Sequence, residues 1–293
     1  VGNSYDVSDY INFDGDNVIV VRVDATQYEG WFYEGAGIYR HVWLNKTSPL
    51  HVPADGTFVT TKINKNNAEL ISKVSVINEG SKTEDFKIIQ TVYDNEGKSI
   101  TTATINNLNL RPMETKEFGA ELLVANPKLW SVDDPYLHKM VTNILSGDKL
   151  VDTHTTTFGI RTLRFDANEG FFLNGKHLKI KGTNNHQDHA GVGVAMPDGL
   201  QDFRIATLKS FGSNAYRCSH NPPTPELLDA CDRLGMVVID ETRLMGITSV
   251  QLGELKRMMI RDRNHPSIIS WSIANEEWGV EGNIIGARMA RTM

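Results

Sequence analysis

The chain has 293 residues, 40% hydrophobic and 23% charged, a balance that supports packed cores and excludes global disorder. Its formal net charge of -6 comes from 36 acidic and 30 basic residues with no basic block, which argues against electrostatic capture by nucleic acid or an anionic membrane and for a neutral or weakly charged ligand. Cys218 and Cys231 are the only cysteines and read as packing thiols, so a disulfide framework and a cysteine-based zinc site are excluded; no apolar run approaches the about 18 residues of a membrane span, so a soluble protein is expected.

Taken in order, Val18-Ile19-Val20-Val21-Arg22-Val23 is a β-branched run of strand length. Ile38-Tyr39-Arg40-His41-Val42-Trp43-Leu44 is another, and the aromatic loop Trp31-Phe32-Tyr33 separates them. Both predict closing strands of a sandwich, with the aromatics available either to stack on a ligand or to pack the sandwich edge. Turn residues from Asn45 to Pro53 mark a boundary. Between about residues 54 and 163 the chain alternates in short strands, predicted at 57–63, 70–77, 86–93, 100–105 and 136–144. Asp94-Asn95-Glu96-Gly97 and Ser146-Gly147-Asp148 are hairpin signals, and the whole stretch suits an immunoglobulin-like sandwich.

After Arg164 the period changes. Phe171-Phe172-Leu173-Asn174-Gly175-Lys176 is a hairpin around an Asn-Gly turn that leads into Leu178 to Gly182. Helices are then predicted at 202–211, 224–234 and 252–263, alternating with apolar strands at 214–218, 236–240 and 268–274. Such runs with crossover helices mean a parallel sheet buried on both faces, and the count of βα units fits half of a barrel. Barrel sites form where the strands end, and four polar clusters stand at those places: Asn184 to His189, Arg217 to Asn221, Asp240 to Arg243, and Asn275 to Glu277.

Each cluster has more than one chemical reading. Glu276 can serve as a general acid, or it and Asn275 can simply open the next helix as first-turn and N-cap residues. Arg217 offers a planar fork to a carboxylate, in a site or in a structural ion pair. His186, Asp188 and His189 supply too few assured ligands for zinc; contact of His186 with a bound ligand is favoured, with Asp188 binding a hydroxyl or orienting His186.

Ordered along the chain, Gly35-Ala36-Gly37-Ile38-Tyr39-Arg40, Leu129-Trp130-Ser131, Phe158-Gly159-Ile160-Arg161, Leu173-Asn174-Gly175-Lys176, Asn185-His186-Gln187-Asp188-His189, Arg217-Cys218-Ser219-His220-Asn221-Pro222, Arg261-Asp262-Arg263-Asn264-His265-Pro266-Ser267 and Trp271-Ser272-Ile273-Ala274-Asn275-Glu276-Glu277 resemble glycoside hydrolase family 2, the family of β-galactosidases, β-glucuronidases and β-mannosidases. The resemblance implies the end of a jelly-roll sugar-binding domain at 1–50, an immunoglobulin-like β-sandwich at 51–163 and the first half of a (β/α)8 TIM barrel at 164–293. It also implies that Val1 is internal and that the nucleophilic glutamate lies beyond Met293. Glu276 takes the acid/base position, Asn275 would bond a sugar 2-hydroxyl, Arg217 would support the nucleophile, and His220 resembles a substrate-contacting histidine, with a packing role as its alternative. Glu277 is a bystander on this match.

The implied activity is that of a retaining exo-acting glycosidase on β-linked glycosides, most like a β-galactosidase, with β-glucuronidase, β-mannosidase or a non-catalytic glycan-binding protein as rivals. Homo-oligomerisation stays open. No cofactor is expected. The family's magnesium-holding Glu-x-His is replaced here by Thr242-Arg243-Leu244-Met245-Gly246, which supplies no carboxylate and no imidazole, so no metal is expected either.

Overall fold

The computed structural model describes residues 4–24, 26, 37–243, 246–276 and 280–292. Before residue 50 the described residues hold one 3-10 turn at Ser8–Tyr10 and no strand. This corrects the expectation at Val18 to Val23 and at Ile38 to Leu44. Val18 is 84% and Val20 86% exposed, and no described segment pairs with either run. β-Branched composition favours a strand only when a neighbouring backbone takes up its N–H and C=O groups. Trp31, Phe32 and Tyr33 lie outside the described residues.

Eight strands follow: β1 (Leu50–His51), β2 (Thr57–Asn64), β3 (Asn67–Asn78), β4 (Glu84–Tyr93), β5 (Ser99–Leu110), β6 (Glu114–Ala125), β7 (His138–Ser146) and β8 (Lys149–Phe158). β3 pairs with β1, β2 and β6 in one antiparallel sheet, while β5-β4-β7-β8 make the other. Inward residues of both sheets form the core, with Val74, Val76, Phe86, Ile88 and Ile144 toward one end and Leu70, Val92, Leu122, Met140 and Phe158 toward the other. Between them the buried Gln90 donates Nε2 to Ser72 Oγ at 2.8 Å and Thr142 Oγ1 at 3.2 Å, a polar bridge from sheet to sheet. All five predicted sandwich strands are present. β6 and β8 were not foreseen, because alternate residues such as Lys116, Glu121 and Thr155 face water and dilute the apolar signal of Phe118, Leu122 and Phe158.

β9 (Leu163–Asp166), β10 (Gly170–Leu173) and β11 (Lys176–His177) form a small antiparallel sheet. Its hairpin turns at Asn174 and Gly175 with φ of 53° and 75°, the doubly left-handed turn that an Asn-Gly pair favours. Then β12 (Gly182–Asn185), α1 (Asp198–Ser210), β13 (Ala215–Cys218), α2 (Pro225–Leu234), β14 (Val237–Glu241), α3 (Ser249–Asp262), β15 (Ile268–Ser272) and α4 (Val280–Thr292) alternate. The four strands are parallel in the order β12-β13-β14-β15, with no reversal of direction around the sheet, the winding of a barrel rather than of an open doubly wound sheet. α2 is bounded as its sequence dictates: Thr224 Oγ1 caps Leu227 N, Pro225 opens the first turn, and Gly235 ends it at φ 74°. α1 starts at Asp198 rather than at the predicted residue 202, since Pro197 and Gly199 hide a first turn that Asp198 favours electrostatically.

The sandwich docks on the amino-terminal ends of these strands. Trp130, fully buried, donates Nε1 to Asp232 O at 2.8 Å. Arg161 donates Nη2 to Ile268 O at 2.6 Å and Nε to Pro266 O. Asn264 donates to Thr57 O at 2.8 Å and accepts from Val59 N at 3.0 Å. A Cβ on Gly159 would meet Pro266 Cβ at 2.6 Å, so that position stays bare. Phe171 and Leu173 pack with Trp130, Ala215, Val237 and Ile269, stoppering this end of the sheet. The opposite strand ends are left for a site.

Candidate active site

Alternation along each strand sorts the polar residues. Tyr216, Cys218 and Val238 turn toward α1 and α2, whereas Ala215 and Val237 turn toward the barrel interior. Adjacent carboxylates therefore part company. Asp240 faces α3, where Arg261 grips Asp262 through Nε at 2.6 Å and Nη2 at 2.7 Å. Burial and the neighbouring charge of Asp262 push the Asp240 pKa well up.

Glu241 faces the interior and has no exposure. Its Oε2 accepts from Arg217 Nε at 2.9 Å and Ser272 Oγ at 2.6 Å, Arg217 Nη2 lies 2.7 Å from the same oxygen as an ion-pair contact, and its Oε1 meets His220 Nδ1 at 2.6 Å. Left without these donors, a buried carboxylate would cost several kcal/mol. Because a carboxylate only accepts, the proton of that last contact belongs to His220 Nδ1. Arg217 Nη2 continues to Asn275 Oδ1 at 2.9 Å, and Nη1 reaches Asn184 Oδ1 at 3.3 Å. Strand pairing prepares this network: Asn184 stands opposite Arg217, and Glu241 opposite Ser272.

Loops complete the rim. The His186 ring meets His220 edge-on, with centroids 5.4 Å apart. Arg204 of α1 holds the loop after β12 by donating to His186 O at 3.0 Å and to Asp188 O, and Asn221 Nδ2 reaches Gln187 Oε1 at 3.0 Å. The Ser219-His220 peptide is cis. Glu276 is exposed at the mouth, one residue past the half-buried Asn275; Glu277, Leu244 and Met245 lie outside the described residues.

Of the residues singled out in the sequence, Arg217, His220 and Asn275 thus converge through Glu241, with His186 against His220. Asp188 joins through its backbone. Missed were Glu241 as the hub and Ser272, while Asn184 stood in its strand-end cluster without an assigned role. Their signal was a glutamate ending an apolar strand, which burial obliges to find donors. Away from this network, among the described residues, two groups bring possible metal-ligating atoms within 4.8 Å of one another: His41, Asp198 and Glu226 near the first turns of α1 and α2, and Asp229, Asp232 and His265 beneath the sheet. In the second, Asp232 already accepts from Ser267 N at 3.0 Å and meets His265 Nδ1 at 2.6 Å, a structural linkage. Both cysteines are buried, which pushes their thiol pKa values up and suits packing groups.

Comparison with known proteins agrees with this architecture. Residues 51–161 match the profile of glycosyl hydrolases family 2, and residues 166–292 match that family's TIM barrel domain. The β-galactosidase BoGH2A of Bacteroides ovatus is 39% identical over 287 residues, covering 93% of this chain and 34% of that protein, so the chain spans about a third of its relative's length. The crystal structure of a family 2 member from Bacteroides cellulosilyticus has a TM-score of 0.79 at 40% identity, over 83% of this chain and 34% of that one. A Bacteroides uniformis β-glucuronidase superposes with a TM-score of 0.81 at 30% identity, over 90% of this chain and 35% of that one. With both profiles matched in succession on a sandwich and a βα sheet of the corresponding kind, this chain belongs to glycoside hydrolase family 2.

Proposed function

We propose that this chain carries the acid/base side of a retaining, exo-acting glycosidase that releases a terminal β-linked sugar, with β-galactosides as the substrate class. The proposed division is 1–50, 51–163 and 164–293. The reading is carried by the Arg217 Nη2 to Asn275 Oδ1 bond of 2.9 Å. It fixes the orientation of the Asn275 carboxamide, the group proposed to meet a sugar 2-hydroxyl, and it anchors the residue that precedes Glu276. Glu276 then protonates the departing glycosidic oxygen and afterwards takes a proton from water, while the opposing carboxylate, about 5 to 5.5 Å away in retaining enzymes, belongs to the later strands of a polypeptide of the relatives' length. His186, Asp188 and His220 line the approach and bind hydroxyls. β-Glucuronides are a second substrate reading, supported by the fit to the Bacteroides uniformis enzyme.

The test is Glu276→Gln in a polypeptide of the relatives' length. Turnover of glycosides with poor leaving groups should fall far more than turnover of activated aryl glycosides, since only the former need protonation. Equal losses on both would overturn the acid/base assignment, and faster wild-type turnover of aryl glucuronides than of aryl galactosides would select the second substrate.

A further inference from the structure

We infer that Glu241 is a positioning residue of this site, setting the orientation of Asn275 through Arg217 and the tautomer of His220 directly. The inference rests on the glycosidase reading above. Glu241 has no exposure and cannot itself touch a sugar. Its partners nevertheless come from separate pieces of the rim: Arg217 from β13, His220 from the loop beyond it, and Ser272 from β15. Arg217 extends the linkage to Asn184 on β12 and to Asn275 beyond β15. All four parallel strands therefore meet at one carboxylate.

The chemistry of the hub demands an anion. Each neighbour of the Glu241 carboxylate is a donor, and only a carboxylate presents acceptors on both oxygens. A glutamine has the same shape but one acceptor. If its oxygen serves Arg217 and Ser272, its NH2 confronts His220 Nδ1, which must then give up its proton and accept. In the neutral ring the proton moves to Nε2, exchanging donor for acceptor at the nitrogen remote from Glu241. If the oxygen instead serves His220, the NH2 opposes the guanidinium and the Arg217 to Asn275 bond loses its anchor. Either outcome changes the geometry offered to the transition state while leaving the pocket its size.

Steady-state kinetics of Glu241→Gln, Glu241→Asp and Glu276→Gln, in a polypeptide of the relatives' length, test this. Glu241→Gln should lower kcat about 100-fold, the scale of a small misplacement of reacting groups. KM should stay within about threefold, because the interactions weakened are those realised in the transition state. Glu241→Asp, which keeps the charge, should recover about tenfold of that loss. A kcat for Glu241→Gln within about twofold of wild type, or equal losses for Gln and Asp, would overturn the inference. If Glu276→Gln spares glycosides with poor leaving groups, the acid/base reading on which this inference rests fails; if Glu276→Gln loses them while Glu241→Gln keeps a kcat within about twofold of wild type, only the role of Glu241 fails. Should Glu241→Gln not fold, Ser272→Ala removes one donor without disturbing a charge. Its kcat should then drop about fivefold at constant KM, and an unchanged kcat would overturn the inference.

Discussion

Acid should reach the sandwich core through His138. This residue lies on β7 with 1% exposure, edge-on to Tyr136 at 5.0 Å and stacked on Phe158 at 5.6 Å. Its Nδ1 is buried without a hydrogen-bond partner. Burial pushes its pKa down from 6.5 to about 4, outweighing the pull of Asp94, while Lys128 adds to the fall. The native state therefore binds fewer protons than the unfolded chain between those values, so the stability tied to neutral His138 is complete above about pH 6.5 and drains away toward about pH 4. At about 1.4 kcal/mol per pH unit, the amount at stake is about 3 kcal/mol. The perturbation is His138→Phe, which keeps an aromatic ring between Tyr136 and Phe158 and cannot take up a proton. Hydrogen exchange of β4 and β7 amides, followed from pH 7 to 4 in the two proteins, reports the local stability. Wild type should lose about 3 kcal/mol more protection than the variant. Parallel losses would refute the reasoning, because the titrating group would then lie elsewhere.

Two other sites give independent tests. Trp130→Phe should destabilise by about 2 to 3 kcal/mol in urea unfolding, since it leaves a gap and strands the Asp232 carbonyl at the sandwich contact; a change under about 0.5 kcal/mol would mean the contact is not a tie between the two layers. The raised pKa of Asp240 makes its contribution complete in acid, below the ordinary aspartate range, and lost as pH rises through the elevated value. Asp240→Asn should therefore flatten the decline of the urea midpoint as pH rises, and unchanged profiles would disprove the raised pKa of Asp240.

Legibility in the sequence followed burial. β13, β14 and β15 stood out because strands covered on both faces read as unbroken apolar runs, and α2 because Thr224, Pro225 and Gly235 mark its ends. β6 and β8 were hidden by their water-facing residues. Val18 to Val23 misled because composition reports an inclination to form strands and is silent about partners. In the proposed site, Arg217, His220, Asn275 and Glu276 stand out in the sequence because they follow the ends of apolar strands. Glu241 could not be given its place, because which of two neighbouring acids enters the barrel is decided by side-chain alternation along β14 and by pairing with residues 24 to 31 positions away. The Trp130, Arg161 and Asn264 segments were visible as signatures, yet their work of joining sandwich to barrel depends on contacts between segments distant in sequence.

Pairing of β14 with β15 shifts between Val238 and Ile239: Val238 lies opposite Ile268, but Ile239 lies opposite Ser270. Ile269 is thus a residue in excess on its strand, and it acts as a phase-setter for all that follows. Were Ile269 paired in regular register opposite Ile239, Glu241 would stand against Trp271, an indole where the network needs a small hydroxyl. Asn275 and Glu276 would also be displaced by one residue, about 3.3 Å along the strand direction. A single surplus residue at the stoppered end of the sheet thereby fixes which side chains arrive at its open end, so the spacing between Ile268 and Asn275 is as much a determinant of this chemistry as the identity of either acid.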